Sequence, residues 1–125
     1  MKVFLGEYYE IGTVHITGTD YIPPIPIKEN VEIEINEILQ IKSPTERAIE
    51  YMLYGMRKQL FWDGNKRTST ICANKIMIEN GAGIIKVPDT KLEKFNVLLS
   101  DFYTTNDNSK IKNFIYDNCI DGIIF

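Results

Sequence analysis

From Ser43 onward the apolar residues fall at helical spacing, in blocks separated by residues that start or stop helices. The clearest start is Ser43-Pro44-Thr45-Glu46. Ser43 can accept from first-turn amides, Pro44 fits the first helical position, and Glu46 can reach back to complete a capping box. A helix is predicted from there to about Gln59 or Leu60, with Ala48, Tyr51, Met52 and Met56 as its core stripe. A second should start at Asn65 or Lys66 and carry Thr68, Ile71, Cys72 and Ile78 inward until Asn80-Gly81 supplies a left-handed stop. Pro88-Asp89 opens a third, with Leu92, Phe95, Leu98, Leu99 and Phe102 at helical spacing. Ser109 can cap a last one bearing Ile111, Phe114, Ile115 and Cys119.

Ahead of these helices the pattern changes. Thr13 to Ile22 sets β-branched residues on both sides of Gly18, which reads as two short strands around a tight turn. Pro23, Pro24 and Pro26 then impose a stiff, extended strap with few backbone donors. Val31 to Leu39 alternates like a strand in its first half, whereas Ile35, Ile38, Leu39 and Lys42 step like a helix, the favoured reading. The expected architecture is mainly α, a helical bundle with one protruding β-hairpin, forming a single domain over residues 1–125.

Composition narrows the function classes. With 125 residues and 44% apolar content the chain can build one ordinary core. A net charge of -3 and the lack of any run of like charges argue against a nucleic-acid partner. The apolar stretch before Glu7 is too short for a signal peptide, and no segment is apolar enough to span a bilayer. The expectation is a soluble cytoplasmic protein without a membrane partner. Cys72 and Cys119 lie far apart and suit neither a metal pair nor a disulfide framework, so both are expected as buried thiols.

The chemistry concentrates in Leu60-Phe61-Trp62-Asp63-Gly64-Asn65-Lys66-Arg67. A helix start presents backbone N–H groups and the positive end of the helix dipole, which suits an anion such as phosphate. Gly64 lets the backbone approach closely, Asp63 can hold a divalent cation, and Asn65 can donate its amide to a phosphate oxygen. Lys66 and Arg67 can neutralise the remaining charge, Arg67 with a bidentate fork. Phe61 is the natural peg to the core, and Trp62 can pack beside it or face a partner. Turns of this composition also join amphipathic helices with no ligand at all, their charges simply solvated.

Beyond turn chemistry, the segment resembles the signature of the Fic, or Fido, family, His-x-Phe-x-Asp/Glu-Gly-Asn-Gly/Lys-Arg-x-x-Arg. The matching residues are Phe61, Asp63, Gly64, Asn65, Lys66 and Arg67, with Lys66 the variant shared with Doc-like toxins. Gly18-Thr19-Asp20-Tyr21-Ile22-Pro23-Pro24 is similar to the family's flap hairpin and the Pro-Pro after it. Together with the helix pattern, the resemblance covers the chain from about Thr13 to Ile120.

It implies transfer of a phosphate-containing group, most often AMP from ATP, to a hydroxyl of a target protein. Asp63 would hold Mg²⁺, while Gly64, Asn65 and Lys66 would cradle the nucleotide and Arg67 would meet its outer phosphates. Thr17, Gly18, Thr19 and Asp20 on the flap would align the target by main-chain pairing. In the Doc-like kinases a similar loop holds ATP the other way round and delivers its terminal phosphate.

The chain departs from that signature twice. Gln59 stands where the family has its catalytic His, and Thr70 where many members have a second Arg. Loss of a general base costs about 10² to 10⁴ in rate, while phosphate binding can persist. Gln59 therefore marks an inactivating change, a reaction needing no base there, or a base supplied elsewhere, for which His15 on the flap is the only histidine. No copy of the family's inhibitory Ser/Thr-x-x-x-Glu-Gly/Asn helix is found, so restraint would fall to a separate inhibitor protein. The rivals to an adenylyltransferase are a non-catalytic nucleotide-binding regulatory or toxin–antitoxin module, a Doc-like protein kinase, and a plain helical interaction module. The apolar run from Ile120 to Phe125 is expected to pack on the core.

Overall fold

Ser43 accepts a hydrogen bond from the Glu46 amide at 3.3 Å and starts α2, Pro44–Lys58, as its sequence predicts. The structure is a computed structural model and describes residues 21–59 and 64–122. The expected hairpin with His15, the residues Leu60 to Asp63, and the tail after Gly122 lie outside the described residues.

The described chain is mainly α. Before α2 comes α1, Lys28–Leu39, and the buried Val31 and Ile35 show that the helical period prevails over the strand-like alternation. After α2 come α3, Asn65–Glu79, the short strand β1, Ile84–Ile85, and a 3-10 turn, Asp89–Lys91, leading into α4, Leu92–Thr105. The helix α5, Ser109–Asn118, and the strand β2, Ile120–Asp121, complete the described elements. Buried side chains from all five helices join in one cluster. No helix among the described residues is long and apolar enough to cross a membrane.

Central to this arrangement is α2, which packs against α1, α3 and α5. Its buried face, Ala48, Ile49, Tyr51, Met52, Leu53, Gly55 and Met56, is correspondingly wider than a single stripe. Glu46 does not close a capping box, because its carboxylate pairs with Lys112 of α5 at 2.9 Å.

The inward face of α3 differs from the one its large apolar residues predict. Ile71 and Ile78 are 54% and 65% exposed, whereas Ser69, Cys72, Ala73, Ile76 and Met77 are buried. At 100° per residue, Ile71 and Ile78 lie opposite Ser69 and Ile76. Small residues take the inner face because α2 comes very close there. Gly81, with φ of 65°, ends α3 as predicted. Its amide bonds Ile78 O at 3.1 Å, and that of Ala82 bonds Met77 O at 2.9 Å, a Schellman arrangement.

The two strands went unforeseen, being too short to show a period of two. They pair antiparallel, Ile84 with Asp121 and Ile85 with Ile120. Asn74 fastens them to α3: its Oδ1 accepts from Ile85 N at 2.6 Å and its Nδ2 donates to Ile85 O at 3.2 Å. Ile120 is thereby half-buried against the core.

On α4, Phe95, Leu99 and Phe102 are buried as expected, Leu98 half so, and Leu92 is exposed. Ser109 begins α5 but does not cap it; the Asp107 carboxylate accepts the Ser109 amide at 3.0 Å, which holds that carboxyl below its ordinary pKa. Cys72 and Cys119 are free and buried, and burial pushes both thiols up.

Candidate functional site

The C-terminus of α2 and the head of α3 face each other across the four residues that separate Gln59 from Gly64. Both flanking residues are left-handed, Gln59 at φ 50°, ψ 60° and Gly64 at φ 72°, ψ 18°. Glycine adopts that region without a Cβ penalty, but glutamine does not. The Gln59 amide N–H still bonds Gly55 O at 3.3 Å, and its side chain folds back over the helix end. There Nε2 donates to the Met56 carbonyl and Oε1 accepts from Asn65 Nδ2 at 3.0 Å. Gln59 and Asn65 are only 7% and 6% exposed, so the bond is shielded from water.

The first turn of α3 is electrostatically unusual. It carries no acid, its N-cap Gly64 brings no side-chain acceptor, and Lys66 and Arg67 both lie in it, exposed. Two cations beside the positive end of a helix dipole repel it, and an anion at that place relieves both. Arg67 Nη2 lies 3.8 Å from where a Cβ on Gly64 would stand, so the guanidinium folds back over the turn. Thr70 takes no part, since its hydroxyl donates to Lys66 O at 2.8 Å within the helix.

Beside this turn a cavity of about 460 Å³ opens between α2, α3, β1 and α4. Met52, Met56, Ile71, Ile85 and Phe95 give it an apolar wall, while Lys66, Arg67 and Lys86 put three cations at its lining. Ile71 and Leu92, expected in the core, line this opening instead. Amphipathic spacing cannot separate a residue facing a core from one facing a cavity.

Just ahead of Gln59, Arg57 ties three elements together. Its Nε donates to Tyr103 O at 3.2 Å, and its guanidinium sits 4.4 Å from the ring centroid of Tyr21, at the start of the proline strap. Tyr21 in turn stacks on Tyr103, centroids 6.4 Å apart. Burial pushes the Tyr103 phenol up from its ordinary pKa, and its oxygen has no hydrogen-bond partner among the described residues.

Of the expected site residues, Gln59, Gly64, Asn65, Lys66 and Arg67 come together at the head of α3. Asp63, with Phe61 and Trp62, and the flap residues Thr17, Gly18, Thr19 and Asp20 lie outside the described residues. The Gln59–Asn65 bond and the Arg57 clamp carried no signal in the sequence, because each joins groups that only the tertiary fold brings together.

Among the described residues, the helical scaffold thus sets a cationic helix head beside a buried carboxamide pair. The sequence model of the Fic/DOC family matches residues 2–77, a span that includes both the flap segment and this loop. The chain belongs to the Fic/DOC family. No curated protein matches it.

Proposed function

We propose that the head of α3 binds the phosphates of ATP with Mg²⁺, and that the protein is of the adenylyltransferase type, with transfer slowed by Gln59. The observation that carries this reading is the α3 first turn, where a left-handed glycine, Asn65 and two cations gather without a single acid. The adjoining apolar cavity suits the base of a nucleotide. Mg²⁺ held by one carboxylate, Asp63, and by phosphate oxygens would match its usual mode of binding and neutralise developing charge.

In the transfer, a hydroxyl oxygen of the target protein forms a bond to the α-phosphorus while the bond to pyrophosphate breaks. The hydroxyl proton must leave, here to solvent water. Gln59 cannot take it, because a carboxamide is not a base at neutral pH and both ends of this one are already hydrogen-bonded. That same observation favours a second reading, a regulatory module that binds nucleotide without transfer; a Doc-like kinase would use the same seat with ATP reversed. The adenylyltransferase reading entails a cytoplasmic target protein aligned along Thr17, Gly18, Thr19 and Asp20, and restraint by a separate inhibitor protein.

Calorimetric titration with Mg²⁺-ATP tests the seat. Binding with micromolar to millimolar affinity, lost in Asn65→Ala, is expected, and Gln59→His should raise labelling of protein by ATP. Absence of binding at several millimolar ATP would end the reading.

A further inference from the structure

We propose that Lys86 is a third cation of the nucleotide seat, one that grips the outer phosphates and so selects a nucleoside triphosphate over a monophosphate. The inference rests on the nucleotide reading above. Among the described residues, the lining of the cavity of about 460 Å³ holds three cations, Lys66, Arg67 and Lys86, and no acid. In a chain with 17 acids against 14 Lys and Arg, that reverses the overall charge locally. None of the three makes an ion pair among the described residues, whereas Lys58, Lys75 and Lys112 each do. Three like charges around one apolar cavity repel one another, and a polyphosphate relieves all of them.

The position of Lys86 is set from α3. Arg67, Thr70, Ile71 and Asn74 fall at i, i+3, i+4 and i+7, on one face of that helix. The first three line the cavity, and Asn74 ends the row by holding the main chain of Ile85 with both ends of its carboxamide, at 2.6 and 3.2 Å. Lys86 is the next residue, and its own amide donates to Cys119 O at 2.7 Å. Its backbone is thereby fixed on the face of α3 that carries Arg67. Asn74 lies about 10 Å along the axis from Arg67, at roughly 1.5 Å per residue. Over that span two long cationic side chains can meet one polyphosphate chain from opposite sides, while the buried Met52, Met56, Ile85 and Phe95 receive the base. A lysine ammonium, a point charge with three donors, suits phosphate oxygens without a fixed approach.

Titration of wild type, Lys86→Gln and Lys86→Arg with Mg²⁺-ATP and with AMP decides this. Wild type should bind ATP more tightly than AMP. Lys86→Gln should weaken ATP binding about tenfold and leave AMP unchanged, because a monophosphate is held at the head of α3 alone. Lys86→Arg, which keeps the charge, should retain most of the ATP affinity. The Lys86 side chain is exposed, so both variants should unfold at the wild-type midpoint. Where wild type binds ATP, four results would each overturn the proposal and leave the nucleotide seat standing: no preference for ATP over AMP, equal losses for the two in Lys86→Gln, no loss for either, or Lys86→Arg as weak as Lys86→Gln. A lower unfolding midpoint in Lys86→Gln would assign the lysine to the fold and overturn it too. No ATP binding by wild type at several millimolar would overturn the nucleotide reading and this proposal together.

Discussion

A Cβ placed on Gly55 would stand 2.2 Å from the Ser69 hydroxyl and 3.1 Å from its Cβ, so α2 and α3 approach as closely as their backbones allow. Gly55 lies one turn before Gln59 and Ser69 one turn after Asn65. The close crossing therefore brings the two carboxamides within bonding distance one turn further along. Gly55→Ala gains about 1 kcal/mol of helix propensity but overpacks this contact at about 1–3 kcal/mol. A net loss near 1 kcal/mol is expected, seen as a melting temperature about 4 °C lower. Ser69→Ala in the same chain should recover part of it by removing the nearest atom. A Gly55→Ala protein more stable than wild type would show that the helices are not in contact here.

The same contact explains which parts of the fold could be read in advance. Helix starts and stops were legible at Ser43-Pro44 and at Asn80-Gly81 because capping is local chemistry. The inner face of α3 was not, since its large residues Ile71 and Ile78 point away from the small ones that allow close packing. Two-residue strands held by Asn74 leave no periodic trace. At the site, Gly64, Asn65, Lys66 and Arg67 could be recognised as a group by their spacing. The pairing of Gln59 with Asn65 depends on helix packing and could not.

Arg57 anchors the strap. Its guanidinium meets the Tyr21 face and the Tyr103 carbonyl together, so Arg57→Met, which retains an apolar stem, isolates the loss of the charged group. A cation–π contact and a charge-assisted hydrogen bond, both partly buried, together suggest a loss of about 1–3 kcal/mol. Chemical denaturation should show a lower midpoint, with faster proteolysis near the Pro23-Pro24 strap. An unchanged midpoint would mean that Tyr21 is held by other contacts.

The thiols set an alkaline limit. Burial raises both Cys72 and Cys119, so the folded protein resists ionisation that the unfolded chain undergoes near the ordinary thiol value of about 8.5. Between the unfolded and folded values the folded state binds more protons. Stability from these groups is therefore complete below about pH 8.5 and declines as pH rises above it. Native protein at pH 8 should leave both thiols unmodified by a disulfide reagent, whereas denatured protein should react at both. Rapid native modification of either would contradict its burial.

Arg67 should show opposite signs in stability and in binding. Without an anion, its charge lies near the positive end of α3 with Lys66 beside it and no acid in that turn. Such a placement costs about 0.3–1 kcal/mol at an exposed helix start. Arg67→Gln should then leave the ligand-free melting temperature unchanged or raise it by about 1–3 °C. With Mg²⁺-ATP the order should reverse, because a guanidinium meeting phosphate is a strong charge-assisted pair, and affinity should fall about tenfold. Added salt should weaken wild-type binding more than that of the variant, since one screened attraction is missing. If Arg67→Gln destabilises the free protein by 1 kcal/mol or more, the arginine serves the fold; if it leaves affinity intact, the phosphates lie elsewhere.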